Sequence, residues 1–211
     1  MDFKKALEEA RSKSPKRKFV QSVDLTVNFK DVDFNKPDNR LNLEVPLPNG
    51  KGKKVRVAVI AGDALINEAK EKAERVIRAE EIEGLGQNKS ELKKLADSYD
   101  YFLCQTDLMP SVGRHLGQVL APRDKMPLPV PPTAKLEPFL KRLEKVVRIK
   151  TKGKFTPTVH TTIGTEEMSD EQLVENANKI IDSLKEKLPN REGNIRSIFL
   201  KLTMGPAVKV T

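Results

Sequence analysis

Ser197-Ile-Phe-Leu-Lys-Leu-Thr203 alternates apolar and polar residues and runs directly into Met204-Gly205-Pro206. Because strand side chains alternate between faces, the pattern predicts a strand with Ile198, Leu200 and Leu202 in a core. Its other face is open and ends in a corner, Thr203–Pro206, where glycine permits a sharp turn or a close approach and proline stiffens the exit. From these residues alone, an ordinary turn is the first interpretation of the corner.

Three further segments show the same half-buried alternation: Val23–Phe29, Leu41–Val45 and Thr158–Ile163. They predict strands of a sheet with one wet face. Ser169-Asp-Glu-Gln172 is a capping box that starts an amphipathic helix. Because these elements come from both ends of the chain, residues 1–50 and 148–211 are expected to form one discontinuous α+β domain. Its open face would expose Thr26, Asn28 and His160.

Residues 51–147 have a different pattern. Val55–Ala61 and Tyr101–Gln105 are nearly continuous apolar runs, which are typical of strands covered on both faces, and helical patterns follow them. One of these helices is expected to place Leu65, Ala69, Ala73 and Val76 on one side. This stretch therefore predicts an α/β layer domain inserted into the terminal one, with the two chain crossings forming a hinge. The proline-rich segment 122–132 is expected to be a stiff surface loop that displays Arg123 and Lys125.

The net charge of +9 favours an anionic partner, nucleic acid first. Two basic clusters are candidates for phosphate binding: Lys16-Arg-Lys18 beside Phe19, and the cations that alternate from Arg148 to Lys154. The absence of Trp and the scarcity of Tyr argue against a platform that stacks single-stranded bases. The apolar runs are too short to cross a membrane, and the first residues lack a signal peptide, so a cytoplasmic location without membrane contact is expected.

Enzymatic motifs are not found in the sequence. No glycine-rich phosphate loop follows the strand that ends at Ala61, and His115 and His160 are isolated, without the partners that a zinc site needs. Cys104 lies in an apolar run and is expected to be a buried structural thiol. We therefore expect no catalytic residue, no metal and no cofactor. A nucleotide- or small-ligand-binding α/β protein remains the alternative.

Six segments, spread over almost the whole chain, carry a family resemblance. They are Lys18-Phe-Val-Gln-Ser-Val23, Leu47-Pro-Asn-Gly-Lys-Gly52, Asp107-Leu-Met-Pro110, Leu116-Gly-Gln-Val-Leu-Ala-Pro-Arg123, Lys125-Met-Pro127 and Thr203-Met-Gly-Pro206. The segments occur in the order of the ribosomal protein L-one family of the large-subunit stalk, and the chain resembles this family in its archaeal form. Two departures are mild: Ser22 stands where bacterial members often have threonine, and Ala121 replaces a usual glycine.

The resemblance implies a terminal domain that binds large-subunit rRNA at the mobile stalk, and a Rossmann-like three-layer inserted domain without a nucleotide. It also implies help in releasing deacylated tRNA from the exit site, and translational repression through binding of its own mRNA. Such a protein would be a structural component of the cytoplasmic ribosome and a monomer when off it. In the inserted domain, the cations expected to face tRNA are Arg114, Arg123 and Lys125.

The family's main RNA contacts match Phe19, Ser22 and the corner. Folded RNA is recognised through its shape, its ribose hydroxyls and its phosphates, which suits a rigid surface of small polar groups. The expected RNA-binding set combines these positions with exposed strand residues and nearby cations: Lys16, Arg17, Lys18, Phe19, Ser22, Thr26, Asn28, Lys152, Lys154, His160, Lys201, Thr203, Met204, Gly205 and Pro206.

Overall fold

The computed structural model describes residues 2–34, 36, 39–62, 65–151 and 156–210. The chain divides into two compact units, a terminal unit of residues 1–53 and 144–211 and an inserted unit of residues 54–143. The elements are, in order, α1 (Phe3–Lys13), β1 (Ser22–Phe29), β2 (Asn42–Pro46), β3 (Val57–Ala61), α2 (Ile66–Lys72), β4 (Arg75–Arg78), α3 (Glu81–Gln87), α4 (Lys89–Ser98), β5 (Tyr101–Gln105), α5 (Met109–His115), α6 (Gly117–Leu120), β6 (Leu128–Val130), α7 (Leu136–Lys145), β7 (Val146–Lys150), β8 (Thr158–Thr165), α8 (Asp170–Lys187), β9 (Ile195–Leu202) and β10 (Val208–Val210).

The terminal unit contains a four-stranded antiparallel sheet in the order β10-β9-β1-β8. The alternation predicted for β1 is confirmed, since Val23, Leu25 and Val27 are fully buried and the residues between them are half-buried. Helices α1 and α8 contribute to the same hydrophobic core as these strand residues. The capping box at Ser169 is present, with its side chain accepting from the Gln172 amide. One face of the sheet therefore packs in the core and the other stays open.

A separate two-stranded antiparallel sheet joins β2 to β7, from Asn42 opposite Lys150 to Pro46 opposite Val146. The sequence indicated that 41–45 was a strand but did not separate it from the wet-faced sheet. The pairing continues just beyond the strand, where the Leu47 amide donates to the Lys145 carbonyl at 2.8 Å. This ladder therefore brings the start and the end of the inserted segment close together.

The inserted unit contains a four-stranded parallel sheet in the order β4-β3-β5-β6. Alternate residues of its central strands point into two different cores, so that Ala58 and Ile60 belong to one and Val57 and Val59 to the other. The first core includes residues of α3 to α6, and the second includes residues of α2 and α7. The predicted three-layer α/β architecture is confirmed.

Some element boundaries were predicted wrongly. The helix after Gly62 ends at Lys72, and Val76 lies in β4, because the β-branched pair Val76-Ile77 joins the parallel sheet beside β3. The proline-rich segment is not only a loop, since Leu128–Val130 forms the edge strand β6, a place in a sheet that tolerates proline. Ala121 lies in a 3-10 helix over Ala121–Arg123 with helical backbone angles, a conformation that alanine adopts freely.

Within the described residues, no helix has both the length and the apolar character needed to span a membrane.

Candidate nucleic-acid interface

The open side of the four-stranded sheet carries a surface that we call the polar face. It consists of the outward side chains of three neighbouring strands: Ser22, Asp24, Thr26 and Asn28 of β1, Thr158, His160 and Thr162 of β8, and Ser197, Phe199 and Lys201 of β9. Antiparallel pairing places these residues opposite one another in cross-strand rows. The sequence predicted which residues of each strand face outward, and the pairing adds which of them are neighbours.

Hydrogen bonds link the rows across the strands. In the first row, Asn28 donates to Ser197 Oγ and accepts from Thr158 Oγ1, both at 3.0 Å. In the next row, Thr26 Oγ1 and His160 Nδ1 are 3.0 Å apart. Because the side chains of these two rows are hydrogen-bonded to their neighbours, they present polar groups in fixed positions. Such preorganisation reduces the entropy lost when a partner binds.

The corner closes directly onto β1. The Thr203 amide donates to the Ser22 carbonyl at 3.1 Å, and the Ser22 amide donates to Thr203 Oγ1 at 3.0 Å. The Gly205 amide donates to the Leu202 carbonyl at 3.0 Å, which closes a turn into β10. Strand β10, which the sequence did not indicate, pairs back on β9 and places Lys209 opposite Phe199. The corner is thus a tight hairpin turn that is bonded to the entrance of β1.

The buried side chain of Gln21 is hydrogen-bonded to the corner. Its side chain is 1% exposed, and its Oε1 accepts from the Met204 amide at 3.1 Å. Its Nε2 donates to the Pro15 carbonyl at 3.2 Å and to Glu166 Oε2 at 3.3 Å. The backbone N–H of Gln21 also donates to Glu166 Oε1 at 2.9 Å. One buried amide therefore joins the end of α1, the start of β1, the loop after β8 and the corner. It was missed because a single glutamine in sequence gives no sign of burial.

Packing within the protein explains why position 205 is a glycine. A Cβ on Gly205 would lie 3.0 Å from Ser14 Oγ and 3.1 Å from Ser14 Cβ, closer than side chains ordinarily pack. The sequence interpretation assigned this glycine to close approach of RNA. Within the protein, the close contact lies at the end of α1, where the glycine allows the corner to pack on Ser14. The contact with RNA stays a prediction.

Exposed apolar side chains flank the corner. Phe19 and Met204 are each 51% exposed and Val20 is 47% exposed, which is unusual for large apolar residues of a folded protein. Gln21 brings the two segments together, because it follows Val20 in the chain and bonds to the Met204 amide. Phe19 stands two residues before Gln21, so the chain that carries it leads directly to a side chain bonded to the corner. Val20 was not among the predicted contact residues.

Cations border the same region. Lys16, Arg17 and Lys18 are exposed, and none of them lies within 4.0 Å of a carboxylate of the described chain. A groove of about 400 Å³ beside them is lined by Arg11, Ser14, Pro15, Lys16, Arg17, Gln21, Glu166 and Leu202. Lys201 is half-buried on the polar face and Pro206 is exposed. Lys152 and Lys154 fall outside the described residues. Phosphate contacts are therefore available along the edge formed by 16–18.

In the inserted unit, the three cations expected to face tRNA differ from one another. Arg114 is exposed on α5. Arg123 pairs with Asp97 at 3.3 Å between Nε and Oδ1. Lys125 donates to the carbonyls of Ala96 and Tyr99 at 2.7 and 2.8 Å and so caps the C-terminal end of α4. A lysine in that position stabilises the last turn of a helix, and Lys125 therefore has a structural role.

The crevice where a parallel α/β sheet would hold a nucleotide lies at the carboxyl ends of β3 and β5. There the Gly62 amide donates to Gln105 Oε1 at 3.0 Å, and a Cβ on Gly62 would lie 2.9 Å from that oxygen. The amide that would meet a phosphate is thus already bonded to a side chain of the protein. Gln105 also donates to Asp107 Oδ2 at 3.1 Å, which fixes it in place. This geometry disfavours the nucleotide-binding alternative.

Metal and thiol chemistry find no support in the described residues. They contain no group of three His, Cys, Asp or Glu side chains that could hold a metal ion. Cys104 is fully buried, as predicted, and burial raises the pKa of its thiol from 9.0 to about 12. A thiol that stays protonated is a poor nucleophile, so Cys104 is structural.

The sequence matches a known protein family over almost its whole length. The sequence profile of the ribosomal protein L1p/L10e family matches residues 8–206. The chain belongs to this family. The match spans both units and includes the polar face, the corner and the basic segment 16–18. The resemblance to the ribosomal protein L-one family is therefore confirmed.

Similar proteins from other organisms align with nearly the full length of this chain. The protein of Thermococcus kodakarensis is 47% identical over 206 residues, which cover 97% of this chain and 94% of the relative. The protein of Methanothermobacter thermautotrophicus is 46% identical over 210 residues, which cover 99% and 98%. The protein of Methanocaldococcus jannaschii is 44% identical over 205 residues, which cover 97% and 93%. Each is named large ribosomal subunit protein uL1.

Proposed function

We propose that the terminal unit binds the ribosomal RNA of the large subunit, at the mobile stalk, through the polar face and the corner. The observation that carries this proposal is the corner itself. Two apolar side chains are exposed there: Phe19, two residues before the buried Gln21, and Met204, whose amide donates to the Gln21 side chain. The relatives' shared name, large ribosomal subunit protein, supplies the partner.

The chemistry of this surface suits folded RNA. Hydroxyl and amide side chains can accept from and donate to ribose hydroxyls, which RNA displays and DNA lacks. Phe19 and Met204 offer soft apolar area to a sugar or a base. Lys16, Arg17 and Lys18 neutralise phosphates, and this contribution makes affinity fall as salt rises. Shape and ribose contacts then determine where the protein binds, and the cations strengthen the binding.

The further roles follow from the same surface and from the inserted unit. An mRNA that folds like the stalk would compete for the polar face, and the protein would then repress its own translation. On the ribosome in the cytoplasm, the inserted unit would approach exit-site tRNA through Arg114 and Arg123 and assist its release. Off the ribosome the protein is a monomer with no enzymatic activity.

The test is binding of a stalk rRNA fragment by wild type and by Met204→Asp. The substitution removes an apolar contact and places a carboxylate near phosphates, so the affinity should fall by at least about 2 kcal/mol, roughly 30-fold. Met126→Asp is the matched control, since Met126 is 40% exposed and lies in the inserted unit. Met126→Asp should bind like wild type. Equal affinities for Met204→Asp and wild type would refute the proposed site.

The nucleotide-binding alternative has its own test. Saturable thermal stabilisation by a nucleotide would support it, because a ligand that binds only the folded state raises the melting temperature. We expect none, since Gln105 occupies the crevice between β3 and β5. Gln105→Ala would open that crevice and should not create nucleotide binding, because no glycine-rich phosphate loop follows β3.

A further inference from the structure

A carboxylate lies in the middle of the polar face. Asp24 is flanked in its cross-strand row by Lys201 of β9 and Thr162 of β8. Its neighbours along β1 on the same face are Ser22 and Thr26. An acidic group is unexpected there, since the face is proposed to contact a polyanion and the chain carries a net charge of +9.

The carboxylate is fixed by one bond and has one oxygen unused. Thr162 Oγ1 donates to Asp24 Oδ1 at 2.8 Å. No donor of the described residues bonds to Oδ2, and the Lys201 ammonium is not within 4.0 Å of this or any other carboxylate of the described chain. Asp24 is half-buried, so its side chain is accessible from the open side of the sheet. One oriented acceptor therefore faces the partner without a protein donor.

We propose that Asp24 is a specificity-determining residue that accepts a hydrogen bond from an O–H or N–H group of the RNA. This inference rests on the proposed function and deepens it. An ionised carboxylate can only accept hydrogen bonds, so it favours donors and repels phosphate oxygens. A bond from a neutral donor to a carboxylate is about twice as strong as one between neutral groups. Asp24 therefore rejects RNA in registers that place a phosphate against this row.

Two groups of RNA supply such donors: the ribose 2′-hydroxyl and the amino or imino groups of bases. The same acceptor would serve either. A 2′-hydroxyl would make Asp24 distinguish RNA from DNA, whereas a base donor would make it distinguish one sequence from another. Lys201 in the same row would attract the adjacent phosphate, so that the row holds one acceptor and one cation in fixed order.

The test compares Asp24→Ala with wild type on a stalk rRNA fragment and on a scrambled RNA duplex of equal length. The variant should bind the stalk fragment at least tenfold more weakly, because the acceptor is lost. It should bind the scrambled duplex as well as wild type or better, because a repelling charge is also lost. Thr162→Val, which frees the carboxylate to rotate, should show part of the same loss. Asp182→Ala on α8 is the control for charge alone, and it should leave the ratio of the two affinities unchanged.

Modified RNAs identify the donor. A series of single 2′-deoxy substitutions removes ribose donors, and a series of inosine-for-guanosine substitutions removes base amino groups. One modification should weaken wild type and leave Asp24→Ala unaffected, and the series in which it occurs names the donor. The inference is overturned if Asp24→Ala keeps the wild-type ratio of affinities, or if it tightens binding to both RNAs alike. The proposed function fails separately, if wild type itself does not prefer the stalk fragment to the scrambled duplex.

Discussion

Replacing Gln21 with methionine tests whether one buried amide holds the corner in place. Methionine has nearly the same length and volume, so the change removes hydrogen bonds without opening a large cavity. The Met204 amide loses its acceptor at 3.1 Å, and Glu166 Oε2 loses its donor at 3.3 Å. The Pro15 carbonyl loses a donor as well, but Pro15 is exposed and water can replace that bond.

The size of the effect follows from the number of groups left unpaired. Each buried polar group without a partner costs about 1–3 kcal/mol, so the two groups that water reaches least imply a loss of about 2–6 kcal/mol in the free energy of unfolding. Glu166 still accepts from the backbone N–H of residue 21 at 2.9 Å, a bond that the substitution does not remove, so the lower half of that range is expected. The hydrogen exchange of the Met204 amide should accelerate by more than the global loss implies, because the corner opens locally.

Urea unfolding followed by circular dichroism gives the global stability, and amide exchange measured by NMR gives the local one. Gln118→Met, at an exposed position of α6, is the matched control and should change neither. A loss below about 1 kcal/mol together with wild-type exchange at Met204 would show that the corner does not depend on this amide.

Gly52→Ala should cost at least about 2 kcal/mol in urea unfolding, because φ is +65° and a Cβ would lie 2.7 Å from both Met168 Sδ and Thr165 Oγ1. Gly113→Ala on α5 should stabilise by about 0.5–1 kcal/mol, since nothing lies within 4 Å of the added carbon. Cys104 should resist alkylation at pH 9 until urea unfolds the chain, because burial raises its pKa from 9.0 to about 12. Because the thiol ionises more easily in the unfolded chain, the free energy of unfolding should be unaffected by this group below pH 9. It should fall as the pH rises from about 9 to about 12. A chain without residues 54–143 should fold and keep specific binding of the stalk fragment in a gel shift, since the β2–β7 ladder already brings the cut ends together.

Each of these expectations has a result that contradicts it. A loss of stability in Gly113→Ala would mean that the added carbon does not fit on α5. Equal stability of Gly52→Ala and wild type would mean that the neighbouring side chains move aside freely. Fast alkylation of the native thiol would mean that Cys104 is reached by reagent without unfolding. A folded deletion protein that binds scrambled RNA as well as the stalk fragment would assign specificity to the inserted unit.

The half-buried strands were predictable because alternation records which residues are inside. Val23, Leu25 and Val27 are buried as expected, and the open face carries the hydroxyl and amide residues that the pattern indicated. The strands are local features, so periodicity suffices to find them. The corner by itself indicated only a turn, and it became a candidate RNA site through the family resemblance.

What the sequence did not reveal depends on contacts between distant segments. Gln21 and Glu166 are 145 residues apart, and their pairing cannot be recognised from either one. Strand β10 is too short to show a period, and it exists because β9 offers it an edge. Lys125 was expected to be displayed to a partner, but the free carbonyls at the end of α4 attract its ammonium. Tertiary contacts override local preference in each case.

The strand order of the terminal unit determines when the protein becomes functional during its own synthesis. Strand β1 is made early, but both of its sheet neighbours, β8 and β9, are made near the end of the chain. The inserted unit has all its strands in 54–143 and can fold on the ribosome while β1 still waits for partners. The polar face and the corner therefore form last. A nascent chain that lacks β9 therefore has neither the complete polar face nor the corner, and only a completed molecule presents both.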